Sequence, residues 1–338
     1  MDTLCKVTFV IPAYNVERFL PIAVKSVIAQ TEENWEMIIV DDCSTDRTLA
    51  IAEDFAMRDP RIRVIRMGKQ SGGAYLPRKR GIMEASTKYV APLDADDCVG
   101  TDYLEQLLKG IEENDSDIIY PVMYSFDGKS AWLENIPEPS LIGKTIDGPD
   151  AVKYTLDGWR IHCNGGIIRK SLYVNTFEMV NESKVNIKSY LDEYLTRILL
   201  YNARKVTLTE VKYYYRKNEE SITHSTDIRA FGLTENNLNL LTLIKAFYAP
   251  DSEEYLLIQR QLFHGIFDTI RLLRRAELNE EEKQMVDDWL EVSREKVDKK
   301  LLKGKVSPRY LWLLKFSPGM SETFLRIVDT FHPPKSEE

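Results

Sequence analysis

Three carboxylates follow a short apolar run, and their type and spacing point to metal chemistry. Residues 90–97 read Val-Ala-Pro-Leu-Asp-Ala-Asp-Asp, which places Asp94, Asp96 and Asp97 directly after the apolar residues. An apolar run of this length is typical of a buried strand, and acids just past its C-terminal end lie where open α/β sheets bind ligands. Neighbouring carboxylates repel each other unless positive charge lies between them. A divalent cation shared with a diphosphate would supply that charge, so the segment indicates a metal-dependent site for a phosphorylated substrate.

Two earlier strand ends carry further candidate binding residues. The first strand ends in Pro12, which interrupts the ladder, and Tyr14, whose ring can stack on a base. Taken alone, this turn is better explained as a plain strand-to-helix connection. The second strand ends in Asp41 and Asp42, whose carboxylates can accept hydrogen bonds from a pyrimidine N–H or a ribose hydroxyl. Asp46, a little further on, is better suited to opening a helix or stabilising the loop than to binding a ligand.

A glycine-rich basic loop lies between these strand ends and the three acids. Residues 71–81 read Ser-Gly-Gly-Ala-Tyr-Leu-Pro-Arg-Lys-Arg-Gly. Cationic side chains beside the backbone N–H groups of a helix N-terminus suit a diphosphate. In isolation, a solvated basic turn explains the loop equally well. Because the four motifs follow one another at strand ends, we expect them to converge on one edge of one sheet.

The elements that must position these residues alternate between strand and helix periodicity. The predicted strands are 7–11, 35–40, 61–66, 88–93, 117–124 and 205–215, and the predicted helices are 17–29, 45–57, 76–85, 101–113 and 192–201. Alternation of this kind predicts the α/β class, with a mostly parallel sheet and helices on both faces.

The character of the chain changes twice further on. Residues 126–149 are rich in Gly, Pro and Asp and predict a loop or a short insertion. After residue 228 three long helical patterns follow, at 231–248, 252–276 and 280–302, without a strand pattern. We therefore predict a first domain over 1–228, which divides into residues 1–125 and 126–228. A helical C-terminal region over 229–338 follows it.

Composition narrows the class of protein. The chain has 338 residues, 43% of them hydrophobic, and a formal net charge of −8, which argues against bulk nucleic-acid binding. Its four cysteines are scattered without a C-x-x-C pair, which suits a reducing compartment. Residues 1–6 carry no signal-peptide pattern, and no stretch reaches the ~18–20 apolar residues of a membrane span. These features favour a cytoplasmic enzyme.

The motifs in this order resemble the family-2 glycosyltransferases with the GT-A fold, which is Rossmann-like. The resemblance covers roughly residues 5–225. It is carried by Pro12-Ala13-Tyr14, Ser26, Gln30, Asp41-Asp42, Arg78 and Asp94-Ala95-Asp96. It implies an inverting enzyme that depends on a nucleotide-sugar donor, in most members a UDP-sugar. It also implies that 1–228 is the catalytic domain, with a nucleotide-binding half (1–125) and an acceptor-binding half (126–228).

The resemblance also assigns roles to these residues. Pro12, Ala13 and Tyr14, together with Asp41 and Asp42, are expected to hold the nucleotide base. Arg78 is expected near the diphosphate or the base. Asp94-Ala95-Asp96 is expected to hold the ribose and a Mn²⁺ or Mg²⁺ ion, with Asp96 as the metal ligand and Asp94 as a second candidate.

By the same resemblance, the catalytic base lies about a hundred residues beyond this D-x-D. Asp192 aligns with the family's base, although Leu191 stands where a glutamate is usual, and Glu193 is the base in the alternative frame. Acids that merely start a helix explain both residues as well. Arg216 and His224, in the segment that matches the family's closing segment, are weaker candidates for contacts with the diphosphate.

The C-terminal region contains a basic and aromatic stretch. Residues 294–316 carry eight Lys or Arg against two acids, next to Tyr310-Leu311-Trp312-Leu313-Leu314 and Phe316. Such a mixture suits docking on an anionic membrane surface, which would bring the protein to a lipid-linked acceptor on the inner face of the cell membrane. A solvated helix whose apolar side packs on the catalytic domain is an equal alternative.

Two other functions stay open at this point. A D-x-D phosphatase of the haloacid-dehalogenase type is the weaker, because that group carries its motif after the first strand. A degenerate transferase that only binds a nucleotide or a partner is supported by Leu191 alone. By analogy with the family, the expected partners are a nucleotide-sugar donor and a saccharide or lipid-linked acceptor in bacterial surface-polysaccharide synthesis.

Overall fold

The computed structural model describes residues 6–133, 139–156, 165–182, 191–217, 227–316 and 318–331. Contacts divide them into two compact units, and the described chain passes from the first to the second between residues 217 and 227. This change of unit lies beside the predicted domain boundary near 228.

The first unit is built on one sheet, with ten strands in the described residues. They are β1 (Val7–Ala13), β2 (Trp35–Asp41), β3 (Ile62–Arg66), β4 (Tyr89–Pro92), β5 (Cys98–Val99), β6 (Ile118–Phe126), β7 (Ala131–Leu133), β8 (Thr145–Asp147), β9 (Ile167–Arg169) and β10 (Lys205–Arg216). The order across the sheet is β3-β2-β1-β4-β9-β6-β10-β5, with β7 beside β6 and β8 beside β10. The six predicted strands all form, each within two residues of its predicted bounds.

The first four strands of the chain form a parallel group, as predicted, and the remainder of the sheet is mixed. Strands β3, β2, β1 and β4 pair in parallel, and every residue of β1 is buried, which is typical of a strand covered on both faces. Strand β9 runs antiparallel to both β4 and β6, and β5, β7 and β8 are also antiparallel to their partners. These four strands are only two or three residues long, too short for a readable period, and the stretch 126–149 predicted as a loop contains two of them.

Seven helices accompany this sheet in the described residues. They are α1 (Leu20–Ile28), α2 (Thr48–Arg58), α3 (Tyr75–Glu84), α4 (Tyr103–Glu113), α5 (Gly148–Leu156), α6 (Lys170–Glu182) and α7 (Leu191–Asn202). Helix α2 begins three residues later than predicted. The Asp46 carboxylate accepts from the backbone N–H groups of Thr48 and Glu17, so the preceding residues stay in a loop. This is the loop-stabilising role expected for Asp46.

Two of the motif residues anchor the segment that follows the three acids. The Gln30 side chain on the loop after α1 donates to the carbonyl of Gly100 at 2.7 Å and accepts from the N–H of Leu104 at 2.8 Å. The Ser26 hydroxyl accepts from the N–H of Val99 at 3.3 Å. Both side chains therefore fasten β5 and the start of α4 to α1. This fixes one end of the loop that carries Asp94, Asp96 and Asp97, called the acidic loop below.

The second unit is helical throughout its described part. Its helices are α8 (Gly232–Phe247), α9 (Glu253–Leu272), α10 (Glu280–Lys296), α11 (Lys299–Leu302), α12 (Pro308–Leu313) and α13 (Pro318–Phe331). The predicted helix 280–302 is two helices, because the Asp298 carboxylate accepts from the N–H groups of Lys300 and Leu301 and starts α11. Among the described residues, none of the helices is long and apolar enough to cross a bilayer.

Candidate active site

Parallel pairing brings the predicted strand ends to one edge of the sheet. Ala13, the last residue of β1, is in register with Asp41, the last residue of β2. On the other side of β1, Val10 pairs with Pro92, the last residue of β4. Backbone hydrogen bonds continue past both ends, from Asp42 N to Ala13 O at 2.9 Å and from Leu93 N to Val10 O at 3.0 Å. The residues after β1, β2 and β4 therefore lie side by side.

The two loops after β1 and β2 are tied to each other. Pro12 and Ala13 are buried, whereas Tyr14 is 40% exposed and presents its ring at the edge. The next residue, Asn15, has a φ of 51°, a left-handed conformation that Asn tolerates better than most residues. Its side-chain oxygen accepts from Thr45 N at 2.8 Å, and its own N–H donates to the Ser44 hydroxyl. These bonds hold the loop that carries Tyr14.

Asp41 and Asp42 are both buried and both already accept hydrogen bonds. Ser44 N donates to the Asp41 carboxylate at 3.3 Å. Ser71 donates to Asp42 through its N–H at 3.0 Å and through its hydroxyl at 2.8 Å. A carboxylate offers about four acceptor positions, so each of the two retains capacity for a ligand. Asp42 also fastens the glycine-rich loop, which begins at Ser71, to the site.

Arg78 reaches the D-x-D from below the sheet edge. It lies in α3, is buried, and donates through Nη2 to the Asp94 carboxylate at 2.8 Å. Helix α3 packs closely on the sheet at Gly81, where a Cβ would come within 2.4 Å of a Val10 methyl carbon. The glycine therefore sets how near Arg78 comes to the site. A buried guanidinium beside this loop supplies positive charge without a long flexible arm.

The acidic loop is clamped by the last strand of the sheet. Asp97 is buried and accepts from the Tyr213 hydroxyl at 2.6 Å and from the backbone N–H of Arg216 at 2.8 Å. The Asp94 N–H donates to the same Tyr213 hydroxyl at 3.4 Å. Burial, reinforced by the negative charges of Asp96 and Asp94, raises the pKa of Asp97 well above its usual value. Asp97 is thus a structural member of the loop, and Asp94 and Asp96 are the more exposed carboxylates beside it.

Arg216 lies at the same loop. Its Nε donates to the backbone carbonyl of Asp96 at 2.9 Å, and its guanidinium lies 5.3 Å from the ring centroid of Phe19 and 4.8 Å from that of Phe126. The structure therefore places Arg216 directly against the D-x-D segment. His224, the other predicted diphosphate contact, lies outside the described residues.

The two candidate bases have different surroundings. Asp192 and Glu193 both lie in the first turn of α7. The Glu193 carboxylate forms an ion pair with Arg197, one turn later, whose side chain is only 4% exposed. Arg197 also donates to the carbonyl oxygens of Glu193 and of Thr155, so it joins α7 to α5. Glu193 therefore helps to hold α7 against α5.

The acids of the loop suit a divalent cation that is shared with a bound ligand. No group of three or more His, Cys, Asp or Glu side chains suited to a metal ion occurs in the part of the chain that the structure describes. Mg²⁺ commonly uses one or two carboxylates and completes its shell with water and substrate phosphates. Asp94, which accepts from Arg78, and Asp96 both fit such a shared site.

Several contacts of this site were not part of the sequence-based predictions. The pairing of Glu193 with Arg197 could have been found, because their i, i+4 spacing on a predicted helix is a recognised signal. The contacts of Asp97 with Tyr213 and of Asp42 with Ser71 join residues far apart in the chain, and only the strand order reveals them.

Comparison with known proteins is consistent with this arrangement. Residues 8–195, more than half of the chain, match the family model described as glycosyl transferase family 2. The chain belongs to that family. Among curated relatives, it is 35% identical over 121 residues to the glycosyltransferase GlyG of Streptococcus pneumoniae (36% of this chain, 40% of the relative). It is 34% identical over 148 residues to the putative teichuronic acid biosynthesis glycosyltransferase TuaG of Bacillus subtilis (44% of this chain, 55% of the relative). The family-2 chain thus spans about half the length, or less, of these relatives.

A solved structure matches over almost the whole chain. The crystal structure of residues 1–349 of TarS from Staphylococcus aureus, in complex with UDP-GlcNAc, superposes with a TM-score of 0.71 at 20% identity. The match covers 96% of this chain and 90% of that one. At this identity the likeness shows the fold, which is the predicted GT-A α/β fold followed by a helical C-terminal region. The full-length protein is named a poly(ribitol-phosphate) beta-N-acetylglucosaminyltransferase, and it is 26% identical to this chain over 224 residues (64% of this chain, 36% of the relative).

Proposed function

We propose that this family-2 protein is a metal-dependent inverting glycosyltransferase that moves a sugar from a UDP-sugar to a hydroxyl group of a saccharide or lipid-linked acceptor. The observation that carries the proposal is the convergence of Tyr14, Asp42, Arg78 and Asp94 on one edge of a parallel sheet. A surface aromatic ring, buried carboxylates and a buried guanidinium together fit a base, a ribose and a diphosphate. The TarS structures contain UDP or UDP-GlcNAc, which supports a uridine donor.

The donor would be held by the residues assigned from the sequence. Pro12, Ala13 and Tyr14 would form the base platform, with Asp41 and Asp42 as acceptors. Asp96, with Asp94 as a second carboxylate, would hold Mn²⁺ or Mg²⁺. When bound, such an ion offsets the negative charge that develops on the leaving diphosphate.

The chain's own groups would do the remaining chemistry. Asp192 would take the proton from the acceptor hydroxyl as it attacks the anomeric carbon, provided that it lies within hydrogen-bond reach. Arg78 would stabilise the departing diphosphate electrostatically, and Arg216 would contribute from the far side of the D-x-D segment. A single base is sufficient for a direct displacement, which inverts the anomeric configuration.

The names of the relatives point to the setting. TuaG and TarS are named for teichuronic acid biosynthesis and for a poly(ribitol-phosphate) acceptor. We therefore propose a bacterial surface polymer or its lipid-linked precursor as acceptor, at the cytoplasmic face of the cell membrane. Contact of residues 294–316 with that membrane is part of the proposal.

Calorimetric titration of UDP, GDP, dTDP and CMP, with and without Mn²⁺, tests the donor site. We expect UDP to bind best and only with Mn²⁺, and Asp96→Ala to remove that binding. The matched control is Asp251→Ala, which deletes an exposed carboxylate of the second unit. Binding of GDP or dTDP instead would change the donor class, and binding of none would refute the transferase site.

Release of UDP from UDP-GlcNAc or UDP-glucose in the presence of a polyol-phosphate acceptor then tests turnover. UDP binding without any turnover would favour a degenerate nucleotide-binding protein.

A further inference from the structure

The basic stretch of the second unit is partly packed and partly exposed. On the packed side, Leu313, Leu314 and Leu325 are buried, and the buried Ser321 donates to the carbonyl of Leu313 at 3.0 Å. Arg294 donates to the carbonyl of Leu314 at 2.8 Å. Helices α12 and α13 are therefore anchored within the second unit, and their outward side chains are presented on a fixed support.

An aromatic patch lies on the outward side. The Trp312 ring is 46% exposed and makes edge contacts with Phe316 and Phe324, with centroids 4.5 and 5.5 Å away. The rings of Phe316 and Phe324 are themselves 5.2 Å apart. Met320, one helical turn before Phe324, is 52% exposed. Three rings that pack on each other with their outer faces in solvent form a contiguous apolar patch, which marks an interaction surface.

Exposed cationic side chains flank this patch in the sequence. Arg309 precedes Trp312 by three residues, and Lys315 follows it by three. Further exposed cations precede α12, namely Lys296, Lys299, Lys300, Lys303 and Lys305. Within the described ranges, no ion pair is found for any of these seven side chains, whereas other surface cations of the protein do pair, such as Arg326 with Glu322. The protein as a whole carries a net charge of −8, so this local excess of positive charge is opposite in sign to the charge of the whole chain.

We infer that Arg309, Trp312, Lys315, Phe316, Met320 and Phe324 form a docking surface for an anionic lipid bilayer. Tryptophan partitions to the headgroup region, where its apolar ring and its polar N–H are both accommodated, and phenylalanine adds apolar area that is buried at the same boundary. Lysine and arginine near an anionic leaflet add attraction that falls off within a Debye length. A protein partner that covered the aromatic rings would also need a carboxylate opposite each of these cations. An anionic leaflet carries negative charge over its whole surface and meets this requirement without a specific arrangement.

This docking surface rests on the proposed function, because it specifies the membrane contact that the proposed function includes. A surface that holds the second unit to the leaflet would keep the protein where a lipid-linked acceptor is presented. Vesicle binding needs neither donor nor acceptor. Failure to dock and failure to transfer are therefore measured separately.

The test is co-sedimentation of the full chain with vesicles of pure phosphatidylcholine and of a 7:3 mixture of phosphatidylcholine and phosphatidylglycerol. We expect binding to the anionic vesicles only, and weakening as salt is raised. Trp312→Ala is expected to lower the partition coefficient at least fivefold. Reversal of Arg309 and Lys315 to Glu together is expected to lower it by about 25-fold or more, because each cation near the leaflet contributes roughly a factor of five.

Two matched controls make the result specific. Trp132→Ala removes a tryptophan of the first unit that is equally exposed, at 44%, and Lys109→Glu with Lys144→Glu reverses two exposed lysines elsewhere. Both should bind vesicles as the wild type does. Three results would overturn the inference: no wild-type binding to anionic vesicles, equal losses in the control variants, or a concentration-dependent dimer that Trp312→Ala abolishes.

Discussion

Exchanging the two neighbouring acids of α7 one at a time separates catalysis from stability. Asp192→Asn removes the proposed base and keeps the shape of the side chain. Since general-base catalysis contributes about 10²- to 10⁴-fold, we expect kcat to fall by that factor. Burial lowers the pKa of Arg197 to about 10, while the negative charge of Asp192 acts in the opposite direction. Asp192 lies in the first turn of α7 and its charge favours the protonated form of Arg197, so we expect the free energy of unfolding to fall by about 0.5–1 kcal/mol.

Glu193→Gln should have the opposite profile. Breaking a buried ion pair by removing one partner costs about 3–5 kcal/mol. The Glu193 side chain is 20% exposed, and Arg197 keeps two carbonyl acceptors in the variant, so we expect a smaller loss of about 2 kcal/mol. Turnover per folded molecule should stay close to that of the wild type.

Two measurements on the same preparations decide between the assignments. Urea denaturation gives the free energy of unfolding, and UDP release at saturating donor and acceptor gives kcat. Calorimetry with UDP and Mn²⁺ shows that the donor site is intact in both variants. If Glu193→Gln abolished turnover while Asp192→Asn kept it, the base assignment and the reasoning from the Arg197 ion pair would both be wrong.

Three further predictions concern other parts of the first unit. Arg78→Lys should weaken UDP binding about tenfold in calorimetry, because a lysine loses the planar guanidinium that faces the acidic loop; an unchanged Kd would remove Arg78 from the donor site. Tyr213→Phe deletes the hydroxyl that donates to Asp97 and should cost about 2 kcal/mol in denaturant unfolding, with a matching loss of Mn²⁺-dependent UDP affinity; stability lost without affinity would restrict Tyr213 to the fold. Burial raises the pKa of Asp117, but hydrogen bonds from Arg204 and from a second arginine outweigh it and hold that pKa below its usual value. A carboxylate whose pKa is lowered by folding stabilises the folded state at pH values above its unfolded pKa of ~3.9. This stabilisation is lost as the pH falls through the folded pKa. Wild-type stability should therefore drop more steeply below about pH 5 than that of Asp117→Asn, and parallel curves would contradict the assignment.

The sequence was most informative where local pattern and placement coincide. Apolar runs that end near Tyr14, Asp42 or Asp94 predict strands. They also predict that these residues lie at one edge of the sheet, because parallel strands end at the same edge. The three-residue strand Ile167–Arg169 has too few residues to show a period, so the mixed half of the sheet could not be predicted. The predicted start of α2 is three residues too early. The residues before it have the composition of a helix start, but the Asp46 carboxylate accepts a hydrogen bond that holds them in a loop.

Long-range pairing limits what can be read about the site. Nothing in the neighbourhood of Asp97 shows that it accepts from Tyr213, since the partner lies 116 residues away and is reached only once the strand order is known. The Glu193–Arg197 pair could be predicted from the sequence, because its i, i+4 spacing lies within one helix. Contacts within one helical turn are thus predictable, and contacts set by sheet topology are not.

The clamp on the acidic loop has a consequence for the order of biogenesis. The strands that frame the nucleotide-binding edge are complete by Pro92, yet the hydrogen bonds that fix Asp97 come from Tyr213 and Arg216, 116 and 119 residues later. Closing so long a loop is slow relative to local helix and turn formation. A nascent chain would therefore display the proposed base-binding residues well before the loop that carries Asp97 is rigid. On the proposed function, donor affinity would arise only when the last strand joins the sheet, which would disfavour capture of a nucleotide-sugar by unfinished chains.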